Sequence, residues 1–175
     1  STDSLDQQLN SPEAIALKWK LYEHSLTLAR NKGNLIPIKK MTTDMAALSI
    51  GAASKPKFQS RLESYKKMPL FQSSKEISSA ERSQLLQSLG KKELVIVSLH
   101  GMSSFASQGY GLSKSALDFL EPLSRRTQVV LVVFGTPYSL RHFDHIDPVL
   151  VAYEDDPIAQ DLAAQALFGA IGISG

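Results

Sequence analysis

Three stretches limit what this chain can fold into: "ELVIVSL" from Glu93, "QVVLVVF" from Gln128 and "PVLVAYE" from Pro148. In each, aliphatic and β-branched residues run together instead of alternating with polar ones. Such strands are buried on both faces, as at the centre of a parallel sheet. "MAALSIG" (Met45 to Gly51) and the shorter "MPLFQ" (Met68 to Gln72) add two more strand candidates. Parallel strands need crossover helices, and amphipathic segments of suitable length stand between the runs. They are Lys57 to Lys67, carrying Phe58, Leu62 and Tyr65; "SSAERSQLLQSLGKK", ending at Gly90; Ser113 to Ser124; and the Ala-rich "PIAQDLAAQALFGA" with Pro157 at its first position. The expectation is an α/β fold: a flavodoxin-like, three-layer α/β/α sandwich on a mostly parallel sheet of five or six strands.

Upstream of the first strand the pattern differs. The polar start through Ser11 reads as a linker, and Asn10, Pro12 and Glu13 together signal a helix start. Ile15, Trp19, Tyr22 and Leu26 follow at spacings that place them on one helical stripe, which needs a partner surface. "NKGN" (Asn31 to Asn34) suits a turn, and "LIPIKK" suits a short extended piece in which Pro37 argues against a central strand. At 175 residues, 43% hydrophobic and 21% charged, the chain supports one globular core with an appendage. The net charge of +2 and the scatter of Lys and Arg beside Glu give no footprint for nucleic acid. No apolar run reaches the roughly 18 residues of a membrane span. With no cysteine, a disulfide framework and a thiolate metal site are excluded.

In open parallel sheets ligands gather beyond the carboxyl ends of the strands. Four loops lie there: "GAASK", "HGMSSFASQGYG", "GTPY" and "EDDP". In "GTPY", Thr136 and Pro137 have the residue types of a helix start, and in "EDDP" Asp156 before Pro157 has the same capping logic. Adjacent carboxylates need not face one site as an acid/base pair must. The run His142, Asp144, His145, Asp147 has metal-ligating residue types but bridges two elements, which works against convergence on one ion. Only the loop after Leu99 is longer than a connection requires. His100, Ser103, Ser104 and Gln108 on it are the candidate substrate contacts, and an irregular surface connection is the plain alternative.

Catalytic motifs fail on inspection. In "HGMSSF", Phe105 stands where a nucleophile elbow at Ser103 needs glycine. "GYG" lacks the third glycine of a dinucleotide fingerprint, "GKK" lacks the Ser or Thr of a phosphate loop, and the S-x-x-K matches at Ser64 and Ser88 lack companion motifs. No catalytic residue, metal or cofactor is expected in this chain.

Three segments are similar to the C-terminal domain of glycoside hydrolase family 3: "SLTLARNKGNLIPI", "VVLVVFGTPYSLRHF" and, most specifically, "VLVAYEDDPIAQDLAAQALFGAIGISG". The resemblance spans Ser25 to Gly175. It implies two units: residues 1–24 as a linker and helix towards a catalytic barrel not contained in this sequence, and residues 25–175 as the α/β domain. It also implies a carbohydrate substrate, with the nucleophilic Asp on the barrel of the same polypeptide, and a periplasmic or cell-envelope location. The glucosidase branch carries an acid/base Glu and an Asp-Arg-x-x-Leu element in this domain. Here "SQGYGLSKSALDFL" stands instead, a departure that favours the N-acetylhexosaminidase branch and leaves Glu154 and His100 without a catalytic assignment.

Two other classes remain open: a free-standing flavodoxin-like module that binds a small molecule or acts as a scaffold, and a serine hydrolase fragment using Ser103, for which no base is evident. The N-terminal helix discriminates. Its Trp19 and Tyr22 face is expected on a partner domain if the chain is a hydrolase domain, and on its own sheet if the module stands alone.

Overall fold

A computed structural model describes residues 2–175. Its six-stranded sheet runs in the order β1-β6-β5-β4-β2-β3, from β1 (Thr27–Arg30), β2 (Met45–Ile50), β3 (Leu70–Ser73), β4 (Leu94–Leu99), β5 (Gln128–Phe134) and β6 (Val149–Ala152). All neighbours pair in parallel except β1, which lies antiparallel to β6 on the edge. Helices α3 (Lys57–Tyr65) and α6 (Pro157–Leu167) cover one face, and α4 (Ser79–Leu89) and α5 (Lys114–Arg126) the other. The result is the three-layer sandwich that the sequence predicts.

Strand parity explains the unbroken apolar runs. Val95, Val97 and Leu99 of β4 pack with Leu86, Leu89, Phe119 and Leu120 of α4 and α5. Their neighbours Leu94 and Ile96 pack with Phe58, Leu62, Leu162 and Leu167 of α3 and α6. The same division separates Leu131 and Val133 from Val132 and Phe134 in β5. Alternation points successive side chains to opposite faces, so a strand with helices on both sides is apolar at every position. Each such side chain contributes about 1.5–3 kcal/mol of burial.

The N-terminal region departs from expectation in three places. Thr2–Leu9 forms a helix, α1, with no buried residue, where a linker was expected. Helix α2 (Pro12–Ser25) does begin at Pro12, but its cap is Ser11, whose hydroxyl accepts the Ala14 N–H at 3.1 Å, and not Asn10. Leu26 is the residue after that helix, fully buried, and the chain turns there into β1, a four-residue edge strand too short to show a period. "LIPIKK" pairs with no strand, in keeping with Pro37, and its Ile36 and Ile38 are buried in the core, fixed by Asn31, whose side chain bonds both the N–H and the carbonyl of Ile36.

Trp19 and Tyr22 lie half-buried against α6 and the core beneath it. Two members of the stripe, Trp19 and Tyr22, are therefore seated on α6, while Ile15 of the same stripe is exposed, as are Leu5, Leu9, Leu17 and Leu21. The seat is polar at one end. Asp156, the cap of α6, accepts the Ala159 N–H at 2.9 Å, the Tyr22 hydroxyl at 2.8 Å and the Lys18 ammonium at 3.2 Å.

Burial acts to raise the Asp156 carboxyl, but the Ala159 N–H, the Tyr22 hydroxyl and Lys18 outweigh it and hold the group below its ordinary value of 3.8. A carboxylate depressed on folding adds stability that is complete above its unfolded value and is lost as pH falls through the lower folded one. Asp156→Ala should cost about 1–2 kcal/mol at pH 7, as for a lost helix cap. Thermal unfolding of both proteins should show the gap closing as pH drops below 3.8. A gap that persists undiminished through that range would show that the charge contributes nothing.

Candidate functional site

The strand order turns back on itself between β2 and β4: β3 lies outward of β2, and β5 and β6 lie outward of β4 on the other side. Beyond the carboxyl ends of β2 and β4 the loops diverge and leave an open cleft of about 360 Å³ between Gly51–Ser54 and His100–Gly101, with Asp155 and Gln160 on its wall. Such reversals are where open α/β sheets hold ligands. Gly51 makes the approach of the two loops possible. It has φ +91°, and a Cβ there would stand 2.5 Å from the His100 carbonyl oxygen.

His100 ends β4, its N–H donating to the Ile50 carbonyl at 2.9 Å. Its ring lies flat on Phe134, with centroids 4.8 Å apart. Nδ1 is 2.9 Å from Asp155 Oδ1, and Nε2 is 2.8 Å from the Ser98 hydroxyl. A carboxylate accepts, so Nδ1 carries a proton, and in the neutral ring Nε2 accepts from the Ser98 hydroxyl. Asp155 also accepts the Gly101 N–H at Oδ2 and the Gln160 amide at Oδ1, both at 2.8 Å, while Gln160 receives the Phe58 N–H at 3.2 Å. One carboxylate thus ties the loop after β6 to the loop after β4 and to helices α6 and α3.

The hydroxyl, imidazole and carboxylate have the spacing of an acyl-transfer relay. Ser98, however, is 1% exposed within β4 and His100 is 3% exposed with both ring nitrogens engaged. The arrangement pins loops and has no nucleophile that a substrate reaches.

The loop after His100 is more ordered than its polar sequence suggests. Ser103 donates to Gln108 Oε1 at 2.6 Å and accepts the Phe105 N–H, and the Ser103 N–H bonds the Tyr110 carbonyl at 2.9 Å. Residues Ala106–Gly111 form a 3-10 turn in which Gly109 and Tyr110 both have positive φ. Tyr110 is buried, and the Arg141 guanidinium lies 5.4 Å over its ring. That contact joins this loop to the 3-10 helix Pro137–His142, which Thr136 caps through the Tyr138 N–H. The Gly-Thr-Pro element is therefore a capped exit from β5.

A second cleft of about 360 Å³ opens between Met102–Ser104 and Gly135–Thr136, with Tyr153 and Glu154 opposite. Of the predicted contacts, His100 lines the first cleft and Ser103 and Ser104 the second, whereas Gln108 is exposed and spent on Ser103. A base for Ser103 is missing from its hydrogen bonds, which counts against the serine-hydrolase reading. Tyr153, on the wall of the second cleft, and Phe105, 62% exposed on the loop, are large side chains absent from the predicted contacts. Asp155 was visible only as one of a pair of acids.

In the His142 to Asp147 run, Asp144 pairs with Arg30 and Asp147 accepts the Lys32 N–H, so its carboxylates are drawn to separate partners. Among the described residues no group of three His, Asp or Glu converges on one point. No helix among them is long and apolar enough to cross a membrane.

By sequence, no family model and no curated protein matches the chain. By structure, its fold is similar to part of the longer chains of family 3 glycoside hydrolases, a likeness of fold alone. It is similar to a fungal multi-domain family 3 beta-N-acetylglucosaminidase (22% identity, TM-score 0.73, 97% of this chain and 19% of that one). It is also similar to a family 3 beta-N-acetylglucosaminidase from Paenibacillus sp. str. FPU-7 (18%, 0.77, 95% and 32%) and to a beta-glucosidase from Listeria innocua (16%, 0.71, 94% and 26%). The chain spans between a fifth and a third of these chains' length.

Asp155→Ala should destabilise the protein by about 2 kcal/mol, because it strands the buried His100 N–H and the Gly101 N–H without an acceptor. Ser104→Ala, on the exposed part of the loop, should change stability by no more than about 0.5 kcal/mol. Chemical denaturation of the two variants measures the contrast, and equal stability would mean that the rim network holds nothing together.

Proposed function

We propose that this chain is the non-catalytic C-terminal domain of a glycoside hydrolase of the beta-N-acetylglucosaminidase type, which packs on a catalytic barrel of the same polypeptide and presents its rim loops to the sugar site. The carrying observation is coverage: nearly the whole chain superposes on a minor part of a much longer beta-N-acetylglucosaminidase. The rim supports a non-catalytic role. Its buried histidine and its best-held carboxylate are committed to each other, and a retaining glycosidase needs two carboxyl or equivalent groups free to act across one bond. The apolar side chains left for a barrel are the exposed leucines, Leu5 and Leu9 of α1 and Leu17 and Leu21 of α2, since Trp19 and Tyr22 are already seated on α6.

That same seating favours a second reading, a free-standing flavodoxin-like module whose cleft between β2 and β4 holds a small ligand. The readings differ in what these leucines do: buried in the longer polypeptide under the first, solvated under the second.

The purified 175-residue chain should not hydrolyse aryl N-acetylglucosaminides or aryl glucosides. Robust turnover, abolished by one substitution within the chain, would overturn the proposal. In the complete polypeptide, replacing Ser104 and Phe105 by Ala tests the rim loop without disturbing the Ser103–Gln108 hydrogen bond that shapes it. If the loop meets sugar, kcat/KM should fall about fivefold, the equivalent of one net hydrogen bond of ~1 kcal/mol, with Tm unchanged. Unchanged kcat/KM would remove this loop from the site.

A further inference from the structure

The loop after β6 has two aspartates in a row with opposite duties. Asp155 faces the rim, where it receives the His100 Nδ1–H, the Gly101 N–H and the Gln160 amide. Asp156 faces α2, where it receives the Tyr22 hydroxyl and the Lys18 ammonium as well as the Ala159 N–H. Tyr153, on the wall of the second cleft, also reaches the N-terminal region: its hydroxyl lies 3.4 Å from that of Thr27, the first residue of β1. Within four residues the chain grips the N-terminal helix with one hand and the loops around the cleft with the other.

We infer that the segment Tyr153–Asp156 is a conformational clamp that couples the seating of α2 on α6 to the geometry of the cleft between the Gly51 and His100 loops. The coupling needs an element with two arrangements, and α2 has the properties of one. None of its residues is fully buried, and neither is any in α1. Helices with little buried surface sit at the low-stability end of a fold and open before its core does. Seated, α2 fixes Asp156 through two side chains. Released, it leaves Asp156 with the Ala159 N–H alone. The peptide unit between Asp155 and Asp156 is shared, so freedom gained on one side reaches the carboxylate that positions His100 and Gly101. The inference stands whether or not the cleft meets sugar, since it concerns the shape of the rim and not its ligand.

Linkage makes the effect reciprocal: whatever orders the rim through Asp155 also favours the seated helix. In a longer polypeptide, a domain attached before α2 would set the rim of this one by holding or withdrawing the helix.

The test uses the chain as it stands. Tyr22→Glu sets a second carboxylate against Asp156 and should unseat α2, seen as a red shift of the single tryptophan, Trp19. Amide hydrogen exchange at Gly101, whose N–H depends on Asp155, should then accelerate about fivefold or more. Exchange at Val97 and Val132 in the sheet should stay at the wild-type rate. A solvated Trp19 with Gly101 exchange unchanged overturns the clamp. So does a Trp19 that stays buried in Tyr22→Glu, because the Asp156 tether then does not hold the helix. Should Tyr22→Glu fail to fold, Tyr22→Phe removes only the hydroxyl, and the same two signals must still move together and in the same directions. An unmoved Gly101 beside a shifted Trp19 overturns the proposal there too.

Discussion

The fold depends on the burial of β4 and β5 on both faces. A strand dried on both sides has no water for its backbone groups, so its N–H and carbonyl groups must all pair with neighbours in register. Here β4 pairs residue for residue with β2 on one side and β5 on the other, from Leu94 to Leu99. A one-residue slip would send Val95, Val97 and Leu99 from the α4/α5 face to the α3/α6 face. Both faces are apolar, so the strands' own alternation does not forbid that slip; the volumes of the covering helices do. Phe58 meeting Phe134 edge-on at 5.3 Å and Phe119 and Leu120 on the opposite face are the fits that a slip would lose.

Polarity is concentrated where that dry centre ends. Ser98 and His100 follow Ile96 on the α3/α6 side of β4, and there the hydrocarbon core passes into a hydrogen-bonded network. A buried imidazole and hydroxyl are costly unless both are satisfied. Asp155 meets that need from a different strand end, and in doing so fixes the spacing of the loops around the cleft. The rim therefore owes its shape to a requirement of the core. Asp161 makes a comparable link one turn along α6, pairing with Arg61 of α3 at 3.3 Å.

Much of this was legible in the sequence, and the parts that were not share a cause. Runs such as "VVLVVF" carry their environment in their composition, because no solvated strand tolerates them. Capping residues declare themselves through short-range geometry, as Thr136 and Asp156 do. β1 was illegible because four residues on an antiparallel edge hold too little pattern to compete with the helical spacing that leads into Leu26. α1 was illegible for a related reason: with Leu5 and Leu9 as its apolar side chains, eight residues carry too little pattern to show a period. The Ser98–His100–Asp155 chain joins residues 55 apart, and nothing local in "SLHG" announces the acid that completes it.

The pair Asp155–Asp156 shows why spacing alone does not make two carboxylates a catalytic couple. Asp156 has φ −111° and ψ 169°, an extended backbone. Along extended backbone consecutive side chains leave in opposite directions. The adjacent acids here do serve different neighbours: one caps a helix and anchors α2 while the other holds a histidine. Acid and base in glycoside hydrolysis have to face a common bond across a gap of several ångströms, which suits residues on separate strands or loops. Asp155 and Asp156 are both engaged in holding the chain's own elements, whereas Glu154, between Tyr153 and Asp155, faces the second cleft. That engagement is the physical reason the Asp155–Asp156 pair shapes the rim and does not face one bond across it.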